Sequence, residues 1–250
     1  IIKYRKIYYI FSGMLILGSV ALLALHSVKF GIEFTGGSLM EIEFNDGRPS
    51  NEEISKNLSE FNLGDIILQS VNQKGMLLRF KEIDEPTHQK ISAKIKNIAP
   101  FEEKRFEFIG PAIGSELRQK TIIATVITLI AITLYIAFAF RGVSKPVASW
   151  QYSLASLIAL FHDILIPLGV FALLGKLYNA EITIPIVAAL LTILGFSVHD
   201  TIVIFDRIRE NLLRRQFVSF EETVDWSLNQ TFGRSISTVA AVLIVLFAIL

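Results

Sequence analysis

The sequence predicts an α-helical polytopic membrane protein carrying one α+β domain between its first and second membrane spans. Two observations lead there. Of 250 residues, 52% are hydrophobic and only 19% charged, against about a quarter charged in an average soluble chain. The charges are also segregated, leaving five long stretches, 7–28, 121–140, 147–174, 182–205 and 236–250, almost free of them. About 20 apolar residues cross a hydrocarbon core about 30 Å thick, so the first four stretches are full spans. The fifth is shorter and is expected to be a span interrupted by the end of the chain. With Ile1 in place of an initiator Met, the sequence is read as part of a longer product.

The first stretch is too long for a signal peptide and no small-residue cleavage site follows it, so it is a retained span. Lys3, Arg5 and Lys6 precede it, Arg141 and Lys145 follow the second stretch, and Arg207, Arg209, Arg214, Arg215 and Arg234 follow the fourth. The opposite side has one short loop, 175–181, with Lys176 alone. By the positive-inside rule the N-terminus is cytoplasmic and the region from 29 to 120 lies outside. The expected organisation is 1–28, N-terminus and first span; 29–120, outer domain and linker; 121–250, spans two to five.

Within the outer region, Met40, Ile42 and Phe44 alternate with Glu41 and Glu43, the pattern of a strand with one buried face. Ser50 and Glu53 form a capping box before Ile54, Leu58 and Phe61 at helical spacing. The runs 66–71 and 76–80 flank Asn72-Gln73-Lys74-Gly75, a hairpin signal. Asp84 and Pro86 open a second helix with Ile91, Ile95 and Ile98 on one face, and Phe106 and Phe108 alternate in a last strand. The order βαββαβ is that of the ferredoxin-like split βαβ unit. Gly36-Gly37 reads as a turn, since no phosphate-loop pattern follows. His88 is expected on a solvated helix face.

Several chemistries are excluded. Without cysteine there is no disulfide scaffold, thiolate metal site or cysteine nucleophile. A net charge of +1 without a broad basic surface argues against nucleic acid as a partner. No pattern suggests bond-making chemistry, a cofactor or a metal site, so the chain is not read as an enzyme.

Two acids lie within the spans, Asp163 and Asp200, each preceded by a histidine, His162 and His199. An aspartate near the bilayer centre costs about 2.5–3.5 kcal/mol on insertion scales, so intramembrane acids face a bundle interior and mark ion paths. Asp163 falls mid-span; Asp200 falls toward the inner half. Neighbouring helix positions point about 100° apart, so neither histidine is expected to relay side by side with the acid after it. Arg234, at the inner entry of the fifth stretch, is the basic residue within reach of Asp200's depth. The alternatives at this stage are a proton relay through Asp200 and Arg234, with Asp163 and His199 as weaker members, or a static ion pair that fixes helix packing. Asp163 with His162 could equally hold the third and fourth helices together. The run 206–215 continues the fourth helix into the cytoplasm, with Glu210 and Arg214 as an i,i+4 pair; it anchors the span or docks a partner.

Four motifs in these regions carry a family resemblance. Residues 31–37, GIEFTGG, resemble the GIDFTGG signature of the SecF family, accessory subunits of the bacterial Sec translocase. Residues 109–117, IGPAIGSEL, are similar to its VGPxxGxEL motif. Residues 195–211, GFSVHDTIVIFDRIREN, are similar to GxSxNDTIVxxDRIREN, and 229–234, NQTFGR, to NQTxxR. The resemblance spans the chain and implies a bundle of the resistance-nodulation-division (RND) superfamily with six spans, the sixth beyond Leu250. It implies an inner-membrane subunit that pairs with SecD and uses the proton-motive force to help preproteins leave the SecYEG channel. Its functional acid and base fall on Asp200 and Arg234. His199 departs from the family's asparagine; histidine titrates near about pH 6.5, so it either joins the relay or replaces the asparagine's hydrogen bond. An RND-type exporter of small molecules or lipids would need a longer chain with two outer domains. A purely structural stabiliser of the translocase would tolerate neutral substitutions at Asp200 and Arg234.

Overall fold

The computed structural model describes residues 1–140, 147–214 and 219–249. Arg141, Lys145 and Arg215, which contribute to the orientation reading, lie outside the described residues. The chain divides into two compact units, one made of Ile1–Lys29, Ile123–Ala180 and Pro185–Leu250, the other of Phe30–Ile122 and Glu181–Ile184.

The helical unit begins with α1 (Arg5–Leu25). The second unit, the ferredoxin-like one, opens on a single helical turn, α2 (Ile32–Thr35), followed by β1 (Gly37–Phe44), α3 (Asn51–Leu58), β2 (Ile67–Val71), β3 (Gly75–Phe80), α4 (Glu85–Lys96) and β4 (Phe101–Ile109). The antiparallel sheet has the strand order β2-β3-β1-β4, which is the ferredoxin-like arrangement. Met40, Ile42 and Phe44 of β1 and Met76, Leu78 and Phe80 of β3 point to one face and meet Ile54 and Leu58 of α3 and Ile91 and Ile95 of α4 in a closed core. The period-2 strands and period-3.6 helices therefore bury the faces their patterns select. Ser50 Oγ accepts from the Glu53 amide at 3.1 Å and Asp84 Oδ1 from the Thr87 amide at 3.1 Å, capping both helices.

His88 does not sit on a solvated face. Its side chain is 7% exposed, lies flat on Phe106 with ring centroids 3.8 Å apart, and places Nε2 3.0 Å from Glu103 Oε2 and Nδ1 3.3 Å from Glu85 Oε1. The reason is its position one turn ahead of Ile91, on the stripe that continues through Ile95 and Ile98. His88→Ala should destabilise the ferredoxin-like unit by about 2 kcal/mol, from the lost stack on Phe106 and the lost hydrogen bond to Glu103, which keeps Ser92 as a donor. His88→Phe should recover the stacking part. Hydrogen exchange of the α4 and β4 amides measures both.

The Gly36-Gly37 turn has a steric cause. Gly36 stands at φ 75° and Gly37 at φ 129°. A Cβ on Gly36 would lie 2.7 Å from Pro111 Cα, and one on Gly114 would lie 2.6 Å from the Gly36 nitrogen. The two glycine motifs thus pack backbone on backbone at the start of α5 (Pro111–Ala139), which begins well ahead of the charge-free stretch at 121.

On the sheet face away from α3 and α4, Arg79 forms an ion pair with Glu181, both side chains largely buried (13% and 6% exposed). Burial draws the Arg79 guanidinium below its usual value, with Glu33 opposing the shift and Arg105 adding to it. The Gly31 amide donates to the Ile182 carbonyl at 3.0 Å, and Phe30 bridges Ile182 in parallel.

The remaining helices are α6 (Ser149–Tyr178), α7 (Ile184–Leu213) and α8 (Phe220–Ile249). Helix α6 runs through Pro167 and ends at left-handed Asn179, so the expected loop 175–181 is shorter than its composition suggested. Among the described residues, Ile2–Leu25, Pro111–Ala139, Trp150–Tyr178 and Ile184–Leu213 are long and apolar enough to cross a membrane. Helices α1 and α6 cross at Gly169, where a Cβ would fall 2.5 Å from Ser19 Cβ; small residues let the two backbones meet closely. An aromatic trio, Phe140, Tyr152 and Phe205, with centroids 4.9–5.8 Å apart, closes one end of a core shared by α5, α6 and α7.

Candidate functional site

Asp163 and Asp200 stand near the middle of α6 and α7. Both line one cavity of about 480 Å³ between α6, α7 and α8, with Ser197, Thr201 and Thr238 as its other polar members and Phe196 and Val239 among the apolar ones. Two carboxylates, three hydroxyls and apolar walls thus share one space at mid-helix depth.

Asp163 is held on two sides. Ser197 Oγ donates to Asp163 Oδ2, joining the third and fourth membrane helices. His162 Nδ1 lies 2.9 Å from Asp163 Oδ1. That contact corrects the expectation that a histidine cannot couple to the acid after it. The two Cα–Cβ bonds diverge by about 100°, yet rotation of both side chains about χ1 and χ2 brings their tips together. The reading of Asp163 with His162 as a brace between α6 and α7 therefore has its bond, through Ser197.

Asp200 and Arg234 are not paired. Arg234 Nη2 instead lies 3.0 Å from His199 Nε2. A guanidinium only donates, so Nε2 takes the acceptor role in this contact. Among the described residues Asp200 makes no hydrogen bond or ion pair; it faces the cavity. The difference from expectation lies in helix register. Arg234 extends along α8 toward the His199 side of α7, and not directly across to the Asp200 side.

Below this level α7 is fastened to α8. Asn211, 3% exposed, donates to Ser227 Oγ at 2.8 Å and to Gln230 Oε1 at 3.2 Å. Asn211 and Gln230 belong to the motifs at 195–211 and 229–234, and Ser197 to the first of them, yet sequence reasoning gave none of the three a role; Ser227, outside the motifs, carried no signal beyond its uncharged polarity. Ser197 lies one turn before Asp200 on the same strip of α7. At the end of α7, Glu210 pairs with Arg214 at 2.6 Å and with Arg207 at 2.7 Å, so the expected i,i+4 pair is present.

The chain matches the model of the protein export membrane protein SecD/SecF C-terminal domain over residues 90–250 and that of the SecD/SecF GG motif over 28–47. The chain belongs to the SecD/SecF family. Its relatives include the protein translocase subunit SecF of Thermobaculum terrenum, 39% identical across all of this chain and 81% of that protein. The SecF of Vibrio alginolyticus is 32% identical over 99% of this chain and 76% of its own. Among solved structures, SecDF of Thermus thermophilus, described as a translocon-associated membrane protein, superposes with a TM-score of 0.82 at 28% identity. That match covers 96% of this chain, which spans about a third (32%) of the SecDF chain. SecDF in its super-membrane-facing form superposes with a TM-score of 0.61 at the same identity. The RND-type bundle with an inserted ferredoxin-like unit is thus the architecture of this family.

Proposed function

We propose that this chain is an accessory subunit of the Sec preprotein translocase, working with SecD and the SecYEG channel in the bacterial inner membrane. In this reading it converts the proton-motive force into late-stage movement and release of preproteins. Its N-terminus faces the cytoplasm and residues 29–120 the periplasm. It performs no bond-making chemistry and needs no cofactor.

The observation that carries the reading is the mid-helix cavity that holds two carboxylates, with Arg234 bonded to the histidine that precedes one of them. With Asp200 protonated, Arg234 rests on His199. Ionised, Asp200 attracts the guanidinium across the face of α7, because an unpaired charge at that depth is costly. Loading and unloading one proton thereby moves a cation between two resting places, and α8 moves with it. One elementary charge falling through 100 mV releases about 2.3 kcal/mol, about a 50-fold bias between two conformations. The family relationship supports the setting, since the named relatives are translocase subunits.

The test is secretion into inverted membrane vesicles carrying the whole translocase, with and without a proton gradient. Asp200→Asn should leave complex assembly and gradient-independent transport unchanged and reduce the gradient-dependent increment to background. An Asp200→Asn complex with the full increment would return the site to a packing role.

A further inference from the structure

We infer that Asn211 is a positioning residue for Arg234: its clasp on Ser227 and Gln230 sets the register of α8 against α7. The inference rests on the ion-coupling reading of Asp200 and Arg234, and deepens it.

The argument starts from donors. The Asn211 amide has two N–H groups and both are used across the helix pair, to Ser227 at 2.8 Å and Gln230 at 3.2 Å. Ser227, fully buried, passes its own proton to the Thr223 carbonyl at 2.7 Å, so its oxygen is oriented to receive Asn211. Thr231 Oγ1 donates to the Ser227 carbonyl at 3.0 Å, fixing the next turn. Ser227 is therefore fixed by bonds on either side of it, and the clasp joins the two helices through directed hydrogen bonds. Such a clasp resists sliding in a way that interlocking leucines do not.

The clasp determines what lies above it. The pairs Asn211–Ser227 and His199–Arg234 show that the helices run antiparallel, one ascending as the other descends. Asp200 stands three turns from Asn211 on nearly the same face of α7, about 16 Å along the axis, and Thr238 stands the same distance from Ser227 on α8. With the clasp closed these two meet at one level, and both line the same cavity. Arg234 is two turns above Ser227, about 10 Å, so its side chain extends about one further turn to reach His199. A slip of one turn, about 5.4 Å, in one direction would leave the guanidinium short of both His199 and Asp200, and in the other would bring Arg234 to the level of Asp200, so the register decides which of the two it meets. Asn211 touches neither proton-bearing group and acts only through that register.

The experiment uses the whole translocase in inverted vesicles, with Asp200→Asn as reference. Asn211→Leu keeps the branched heavy-atom skeleton of the side chain but cannot donate; it should lower the gradient-dependent increment about tenfold, in line with the sensitivity of positioned groups to displacements of an ångström. Gradient-independent secretion should be unchanged. The exchange Asn211→Ser with Ser227→Asn restores a donor–acceptor pair from opposite helices and should recover most of the increment. Because the chain has no cysteine, Thr201→Cys with Thr238→Cys gives a structural readout. A short bifunctional thiol reagent should link them across the cavity in the parent, poorly in Asn211→Leu, and again in the exchange variant. If Asn211→Leu keeps both the increment and the crosslink while Asp200→Asn abolishes the increment, the positioning role is overturned and the ion-coupling reading stands. If Asp200→Asn keeps the increment, both fall.

Discussion

Gly36→Ala should sharply destabilise the ferredoxin-like unit. At φ 75° and ψ 164° Gly36 occupies a region essentially confined to glycine, where another residue is strained by about 1–3 kcal/mol. The added methyl would also stand 2.7 Å from Pro111 Cα and 2.9 Å from its nitrogen, both backbone atoms that cannot rotate aside. Relief requires the first turn of α5 to withdraw, which breaks the packing of Gly114 on the Gly36 nitrogen. The combined loss should be at least about 3 kcal/mol, a large share of the 5–15 kcal/mol that holds an ordinary domain together. Gly110→Ala is the control: nothing lies within 4 Å of its Cβ, and the extended backbone required before Pro111 suits alanine. Hydrogen exchange of the β1 and β4 amides in the purified protein separates the two, and equal protection in both variants would refute the steric account.

Arg79→Met should be nearly as damaging, for an electrostatic reason. It removes the cation from beside a carboxylate that is 6% exposed, and an uncompensated buried charge destabilises by about 3–5 kcal/mol. Glu33 adds to the imbalance, since its field acts on the same position. The diagnostic result is the double variant Arg79→Met with Glu181→Leu, which removes both charges and should regain most of the lost stability. Thermal unfolding of the single and double variants gives the coupling. A double variant no better than Arg79→Met would show that Arg79 acts through packing of its stem and not through Glu181.

The parts of this molecule readable from sequence are those written in local periodicity. Met40, Ile42 and Phe44 announce a strand, Ser50 a helix start, and the hydropathy of four stretches their membrane helices. Once βαββαβ is assigned, few sheet orders remain. What stayed hidden depends on how one element is seated on another. The stripe of α4 was read from Ile91, Ile95 and Ile98, and extending it back one turn would have buried His88. No comparable extension shows that Arg79 meets Glu181, because the partners are far apart in sequence and nothing in either stretch marks the other. Asp163, Asp200, Arg234 and His199 stood out as ionisable groups in apolar surroundings, but their pairing followed from register. A hydrophobic helix pair tolerates several registers of similar packing, and the hydrogen bonds of Asn211 that select one are invisible until both helices are placed.

In the sheet, Gly37 at the start of β1 is the direct partner of Ile109 at the end of β4. The chain from Gly37 to Ile109 therefore begins and ends at one rung of a β-ladder, however much lies between. For the polypeptide on either side, this insertion closes like a very short loop, so the entropy of joining its ends is small once the sheet has formed. A replacement spliced between these two points would keep the flanking segments together, but only one that also carries a cation at the place of Arg79 would leave the Glu181 carboxylate paired.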